Sequence, residues 1–149
     1  MATATSTIAA ARTALIAAIN QQPAVTANNQ PYSPVLVRVG PPGTYIPEDM
    51  IIVGEQVRQA YQVHEMRGDG GQGWLQEDYK MTVLVDSWRG GDDSSVAMLR
   101  CEALVNAVDD AIRNDPSLNS TVTVAWPSAH EYSIGWEEDH KGWVARCAM

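Results

Sequence analysis

The sequence predicts an α+β domain: a largely antiparallel or mixed β-sheet, two α-helices packed on one of its faces, and a long β-hairpin with a glycine-rich tip. Three stretches carry that expectation. Between Ser94 and Pro116, Ala97, Cys101, Leu104, Val105, Val108 and Ile112 recur at the spacing of one face of a helix. Between Asp78 and Trp88, Tyr79, Met81, Val83 and Val85 alternate with Lys80, Thr82, Leu84 and Asp86, the period-2 pattern of a half-buried strand. Near the end, Glu131–Trp136 and Trp143–Met149 bracket the acidic turn Glu137–Gly142, which predicts a terminal hairpin.

The remaining elements follow in chain order. Thr5 to Asn20 is alanine-rich, with Ile8, Leu15 and Ile19 on one side and the small Ala11 and Ala18 on or beside that stripe. Alanine is the best helix former, so propensity and pattern agree on a first helix. Gln21 to Pro34 is polar and carries Pro23, Pro31 and Pro34, which predicts a loop. Val35–Val39 predicts a strand, closed by the turn chemistry of Gly40-Pro41-Pro42-Gly43. Met50–Val53 predicts a short apolar strand. Gln56–Met66 predicts a longer one that pairs with Asp78–Trp88 across the loop Gly68–Gly73. In the long helix, Asp93, Ser94 or Ser95 supplies the N-cap and Pro116 ends it, a rod of roughly 30 Å. Thr121–Ala125 predicts one further strand, broken by Trp126-Pro127.

Length and composition narrow the class. A chain of 149 residues, 45% hydrophobic and 19% charged, fits a single soluble domain with a real core. It has no Phe, so Trp and Tyr supply the aromatic bulk. The formal net charge is −8. An acidic surface argues against a grip on the phosphate backbone of nucleic acid and against docking on an anionic membrane. No apolar run reaches the roughly 18 residues of a membrane span. The N-terminal stretch lacks the positive start of a signal peptide, and Arg12 interrupts it, so it is read as a helix. Cys101 and Cys147 are read as buried thiols in a reducing compartment, with a disulfide between them as the open alternative.

No stretch specifies chemistry. The glycine-rich loop lacks the Gly-Lys-Ser/Thr ending of a phosphate-binding loop, and it joins two strands instead of opening a helix. His64, His130 and His140 lack the close ligand spacing of a zinc site, and Glu137-Glu138-Asp139-His140 has no calcium-loop pattern. There is no nucleophile elbow. Asp92-Asp93 and Asp109-Asp110 are read as a cap region and a solvated helix face. Catalytic, cofactor-binding and metal-ligating residues are therefore expected to be absent. The loop tip is the exception in interest. Trp74 and Leu75 are a large apolar pair beside the flexible Gly70 and Gly71, suited either to folding back on the core or to a contact made with a partner.

With these elements in order, the chain resembles the tail terminator (tail completion) proteins of long-tailed bacteriophages. The likeness spans most of the chain. It lies in the small-residue first helix, the VLVRV strand (35–39) and the segment PEDMIIVGEQVRQAYQVHEMRG (47–68). It continues in EDYKMTVLVDSW (77–88), LRCEALVNAVDDAIRNDPSL (99–118) and TVTVAWPSA (121–129). The resemblance implies a sheet with helices on one side, in a virion protein assembled in the host cytoplasm. It further implies a homo-hexameric ring that caps the tail tube, stops its growth and offers the head connector a docking surface, with no catalytic residues and no cofactor. Partners would be other copies of the chain, the tail tube protein and the connector. DNA would pass through the lumen without specific binding, which suits an acidic chain. A hairpin that orders on assembly and unpaired sheet edges, the last strand included, suit a ring. Gly70, Gly71, Trp74 and Leu75 are the expected subunit or tube contacts. Two other classes compete: another neck or tail structural protein, such as a connector adaptor or tube subunit, and a small α+β enzyme or ligand-binding domain.

Overall fold

The computed structural model describes residues 6–26, 34–43, 47–64 and 74–149. The fold is α+β and, among the described residues, a five-stranded mixed sheet with three helices. The helices are α1 (Ile8–Ile19), α2 (Pro23–Thr26) and α3 (Ser94–Asn114), and the strands are β1 (Leu36–Arg38), β2 (Asp49–His64), β3 (Trp74–Gly90), β4 (Glu131–Glu137) and β5 (Gly142–Ala148). Strand order is β1-β2-β3-β5-β4, with β1 parallel to β2 and every other neighbour antiparallel.

α3 is the rod that the sequence predicts. The carboxylate of Asp93 accepts from the Ser95 amide at 2.9 Å, satisfying one of the orphan donors of the first turn. Its stripe of Ala97, Cys101, Leu104, Val105, Val108, Ala111 and Ile112 is buried. The stripe lies on β3 and β5, against Val83, Val85, Ala145 and Cys147. α1 adds Ala11, Leu15 and Ile19 to the same core, beside α3 and over β2. Burial of a Leu or Val of this kind stabilises by about 1.5–3 kcal/mol, which is where the fold gets most of its stability.

Four expectations need correction. Gln21–Pro34 is not all loop, since Pro23–Thr26 forms a helical turn in which Val25 is buried. Pro23 suits a helix start, where its missing N–H has no partner to lose. The two strands expected at Met50–Val53 and Gln56–Met66 are one strand, β2, carrying a bulge. Val53 pairs with Val83 and Val57 with Met81, which sets Gly54, Glu55 and Gln56 against Thr82 alone. Gly54 makes this possible. Its φ is +70°, and a Cβ there would meet Arg12 and Met81. Arg12 uses the space to donate to the Gly54 carbonyl at 3.0 Å.

The third correction concerns Thr121–Ala125, which is not a strand. Asp115 accepts from the Ser117 and Asn119 amides at 3.1 and 2.6 Å, and Leu118, Asn119 and Ser120 then take positive φ. Local side-chain bonds of this kind compete with strand pairing, and Leu118 is buried in the core as a result. The fourth is topological: the last strand is not an edge. β5 is paired on both sides, and the two edges are β1 and β4.

Both cysteines are free and buried. Burial pushes the Cys101 thiol from its ordinary 9.0 up to about 12, with neighbouring Cys147 adding to the shift, and burial raises Cys147 as well. Two results are expected. At pH 8 a thiol reagent labels neither cysteine in the native protein and both in denaturant. A thiol whose pKa rises on folding stabilises fully below its unfolded value. Stability is therefore intact below pH 9.0 and falls as pH climbs towards about 12, which alkaline denaturation measures.

Candidate assembly surface

The surface left by this core has three parts: a protruding arm, an unguarded edge and an open sheet face. The arm is the distal half of the β2–β3 hairpin. β1 pairs with β2 only from Met50 to Ile52, and β3 is bonded to β5 and the residue after it only from Val83 onward. From Val57↔Met81 to His64↔Trp74 the two strands pair only with each other among the described residues, a ribbon of roughly 25 Å at about 3.3 Å per residue. Its base is fixed by α1. Glu77 accepts from the Thr7 amide at 2.9 Å and from the Ser6 hydroxyl at 2.6 Å. Thr7 offers no side-chain cap of its own, so Glu77 takes that role across 70 residues of sequence. Partial burial pushes the Glu77 carboxyl up, but hydrogen bonds from Ser6, Thr7 and Gln59 outweigh it and hold the group below its ordinary 4.5.

The expected contact residues lie at the far end of this arm. The backbone of Trp74 and Leu75 opens β3, opposite His64 and Val63. Gly70 and Gly71, with the rest of the loop Gly68–Gly73, lie outside the described residues.

A buried ionic cluster aligns the other end of β2. Asp49 is fully buried and takes both arms of Arg89, at 2.8 and 3.0 Å. Arg100 Nε donates to it at 2.9 Å and Ser87 Oγ at 2.8 Å. Arg100 also donates to the Ala24 carbonyl at 2.9 Å, tying α2 and α3 to the sheet. A signal was available: Asp49 is in phase with Ile51 and Val53, and Ser87 and Arg89 are in phase with Val83 and Val85. Polar residues on the core phase of a strand need one another. Asp109, expected on a solvated helix face with Asp110, also needs correction. It is buried and lies 3.2 Å from His130 Nε2, while Asp110 is exposed as expected.

The unguarded edge is β4, every residue of which is exposed. Tyr132, Ile134 and Trp136 stand in register with Cys147, Ala145 and Trp143, which join the core, so they look to the helix side. α3 lies over β3 and β5, leaving these three side chains 40–43% exposed. Trp136 meets Trp143 edge-on, with ring centroids 5.5 Å apart. β4 has no Pro, no Lys and no bulge, the usual devices that blunt an edge.

On the opposite face no helix covers the sheet among the described residues. A groove of about 600 Å³ runs there between Pro47–Glu48 and β4 with its turn, floored by Met50, Trp88 and Val144. Asp86 and Arg146 cross it as a paired fork at 2.7 and 2.9 Å, and the hydrogen bonds that Arg146 donates to Asp86 raise the Arg146 pKa further. The Trp88 indole packs against Gly142, where a Cβ would strike it and sit 2.8 Å from the Arg89 carbonyl. Gly142→Ala is therefore expected to destabilise by about 1–3 kcal/mol, with a blue or red shift in tryptophan emission as Trp88 is displaced; urea unfolding followed by fluorescence reads both.

Among the described residues no group of three His, Cys, Asp or Glu side chains is placed to hold a metal ion. No described helix is long and apolar enough to cross a membrane. What the arrangement offers chemically is backbone pairing at β4 and along the arm, apolar contact from three aromatic or branched side chains, and a net acidic surface. No protein-family model matches the chain, and no curated protein matches it.

Proposed function

We propose that this protein is a tail terminator of a long-tailed bacteriophage: a homo-hexameric ring that caps the tail tube, stops its elongation and gives the head connector its docking surface. The observation that carries the reading is the arm. A two-stranded ribbon standing clear of its sheet is marginal alone in water and gains by lying against a neighbour. The open β4 edge supports the same reading, because in a ring each edge meets another subunit. So does the charge of −8, which suits a lumen that passes DNA without holding it. The family resemblance of the chain's segments supplies the particular assembly.

Deleting the gene from the phage tests the proposal. Expected are tubes of uncontrolled length that join no heads. Complete tails of normal length that fail to join indicate an adaptor instead, and absence of tubes indicates a tube subunit. Normal infectious particles overturn the reading.

Trp74 and Leu75 are assigned to the contact with the tube or the next subunit. The double variant Trp74→Ala, Leu75→Ala is expected to leave the far-UV spectrum and thermal midpoint unchanged. It should weaken tube capping about tenfold or more, as for an apolar anchor in a contact. Electron microscopy of tube lengths at graded protein concentration measures the effect.

A further inference from the structure

The two free elements described above fit each other. Glu131 and Glu137 stand six positions apart at the ends of β4, with Ile134 at its centre. Self-pairing of two β4 strands about Ile134, antiparallel across a two-fold axis, sets Glu131 opposite Glu137 twice, like charge against like. A partner strand therefore needs a cation and no acid where the terminal glutamates fall, and a large side chain opposite Ile134. β2 carries that pattern on the arm: Arg58 lies three positions from Tyr61, and no Asp or Glu occurs from Gln56 to His64.

The faces agree as well. Tyr61 is in phase with Val57 and Gln59, whose register partners Met81 and Tyr79 pack against the core, so it belongs to the helix side of the sheet. Ile134 belongs to the same side. Tyr61 is 59% exposed and Ile134 is 40% exposed. The outward edge of β2 has no strand beside it past Ile52 among the described residues. The arm's other edge, on β3, suits β4 less well, because Glu77 and Asp78 lie there. The edge strand β1 suits it less too, being three residues long and flanked by Pro34, Pro41 and Pro42.

We infer that β4 of one copy adds to the arm edge of β2 in the next copy, Ile134 opposite Tyr61 and one terminal glutamate opposite Arg58, so that the sheet continues from subunit to subunit. The contact joins two different surfaces, so it is heterologous and generates a ring when the rotation closes. The inference rests on the ring assembly proposed above and specifies its interface. Main-chain bonds supply the affinity, and the charged ends set the register.

The test uses the full chain and two readouts. In the first, native mass spectrometry follows association of charge variants whose circular dichroism and thermal midpoint match the parent. Arg58→Glu is expected to weaken association about tenfold or more. Adding Glu137→Arg restores it if the strands run antiparallel, and adding Glu131→Arg restores it if they run parallel. In the second, Tyr61→Cys and Ile134→Cys are combined and oxidised with copper–phenanthroline. A ladder of disulfide-linked multimers is expected from the double variant and monomers from each single one. Rings that form without rescue or ladder overturn the inference and leave the ring reading standing. A ladder from a protein that does not cap tubes upholds the interface and overturns the terminator reading. Dimers from Ile134→Cys alone, or a protein that stays monomeric without a ladder, overturn the inference.

Discussion

Asp49→Ala is expected to lower unfolding stability by about 3–5 kcal/mol, the largest loss from any single substitution outside the apolar core. The carboxylate is fully buried and receives four donors, two from Arg89, one from Arg100 and one from Ser87. Removing it leaves the Arg89 guanidinium, itself 4% exposed, in the interior without its counter-charge. Charge burial of that kind costs far more than the intact pair gains. In a domain of this size each kcal/mol moves the midpoint by about 2–4 °C, so a drop of roughly 10 °C in calorimetry is expected. The companion variant Asp49→Leu, Arg89→Met should recover much of the loss, because an apolar pair leaves no stranded ion. If Asp49→Ala costs less than about 1 kcal/mol, the cluster is not the clamp described.

Leu104→Ala is the second large effect, about 2–5 kcal/mol. Leu104 is fully buried at the middle of the α3 stripe, in the one cluster that joins α1, α3 and the sheet. Truncation removes the transfer energy of three carbons and leaves a cavity, since neighbours on a packed sheet collapse only partly. Leu99, five residues earlier and 65% exposed, is the control. Leu99→Ala should stay within about 0.5 kcal/mol. Urea titration of both variants measures the difference. Equal losses at the two positions contradict the assigned helix face.

These effects fall on elements of unequal legibility. α3 was readable because a helix that packs on one side repeats its apolar residues every 3.6 positions, and Ala97 through Ile112 do so without interruption. β3 was readable through Tyr79, Met81, Val83 and Val85, in phase on the core side. The Gly54 bulge was not, because a glycine followed by polar residues looks like the end of one strand and the start of another. What keeps β2 continuous is its partner β3 and the carbonyl contact of Arg12, both remote in sequence. Thr121–Ala125 has strand propensity but pairs with no strand among the described residues, and the side chain of Asp115 settles its shape.

The candidate surface shows the same division. Trp74 and Leu75 could be singled out because a large apolar pair beside glycines is unusual in any local window. The exposure of Tyr132, Ile134 and Trp136 could not, because alternation marks a strand and not its place in the sheet. β4 is an edge only because β5 pairs with β3, across more than fifty residues of chain. The Asp49 cluster was open to inference from phase alone, but its members sit on three elements, β2, β3 and α3, and only the fold brings them together.

The central claim, that copies of this chain close into a ring, is tested most directly by electron microscopy of the purified protein, alone and mixed with tail tubes. Six-fold rings, free or seated at tube ends, are the expected result. Isolated monomers in both samples, with tube ends bare, contradict the account.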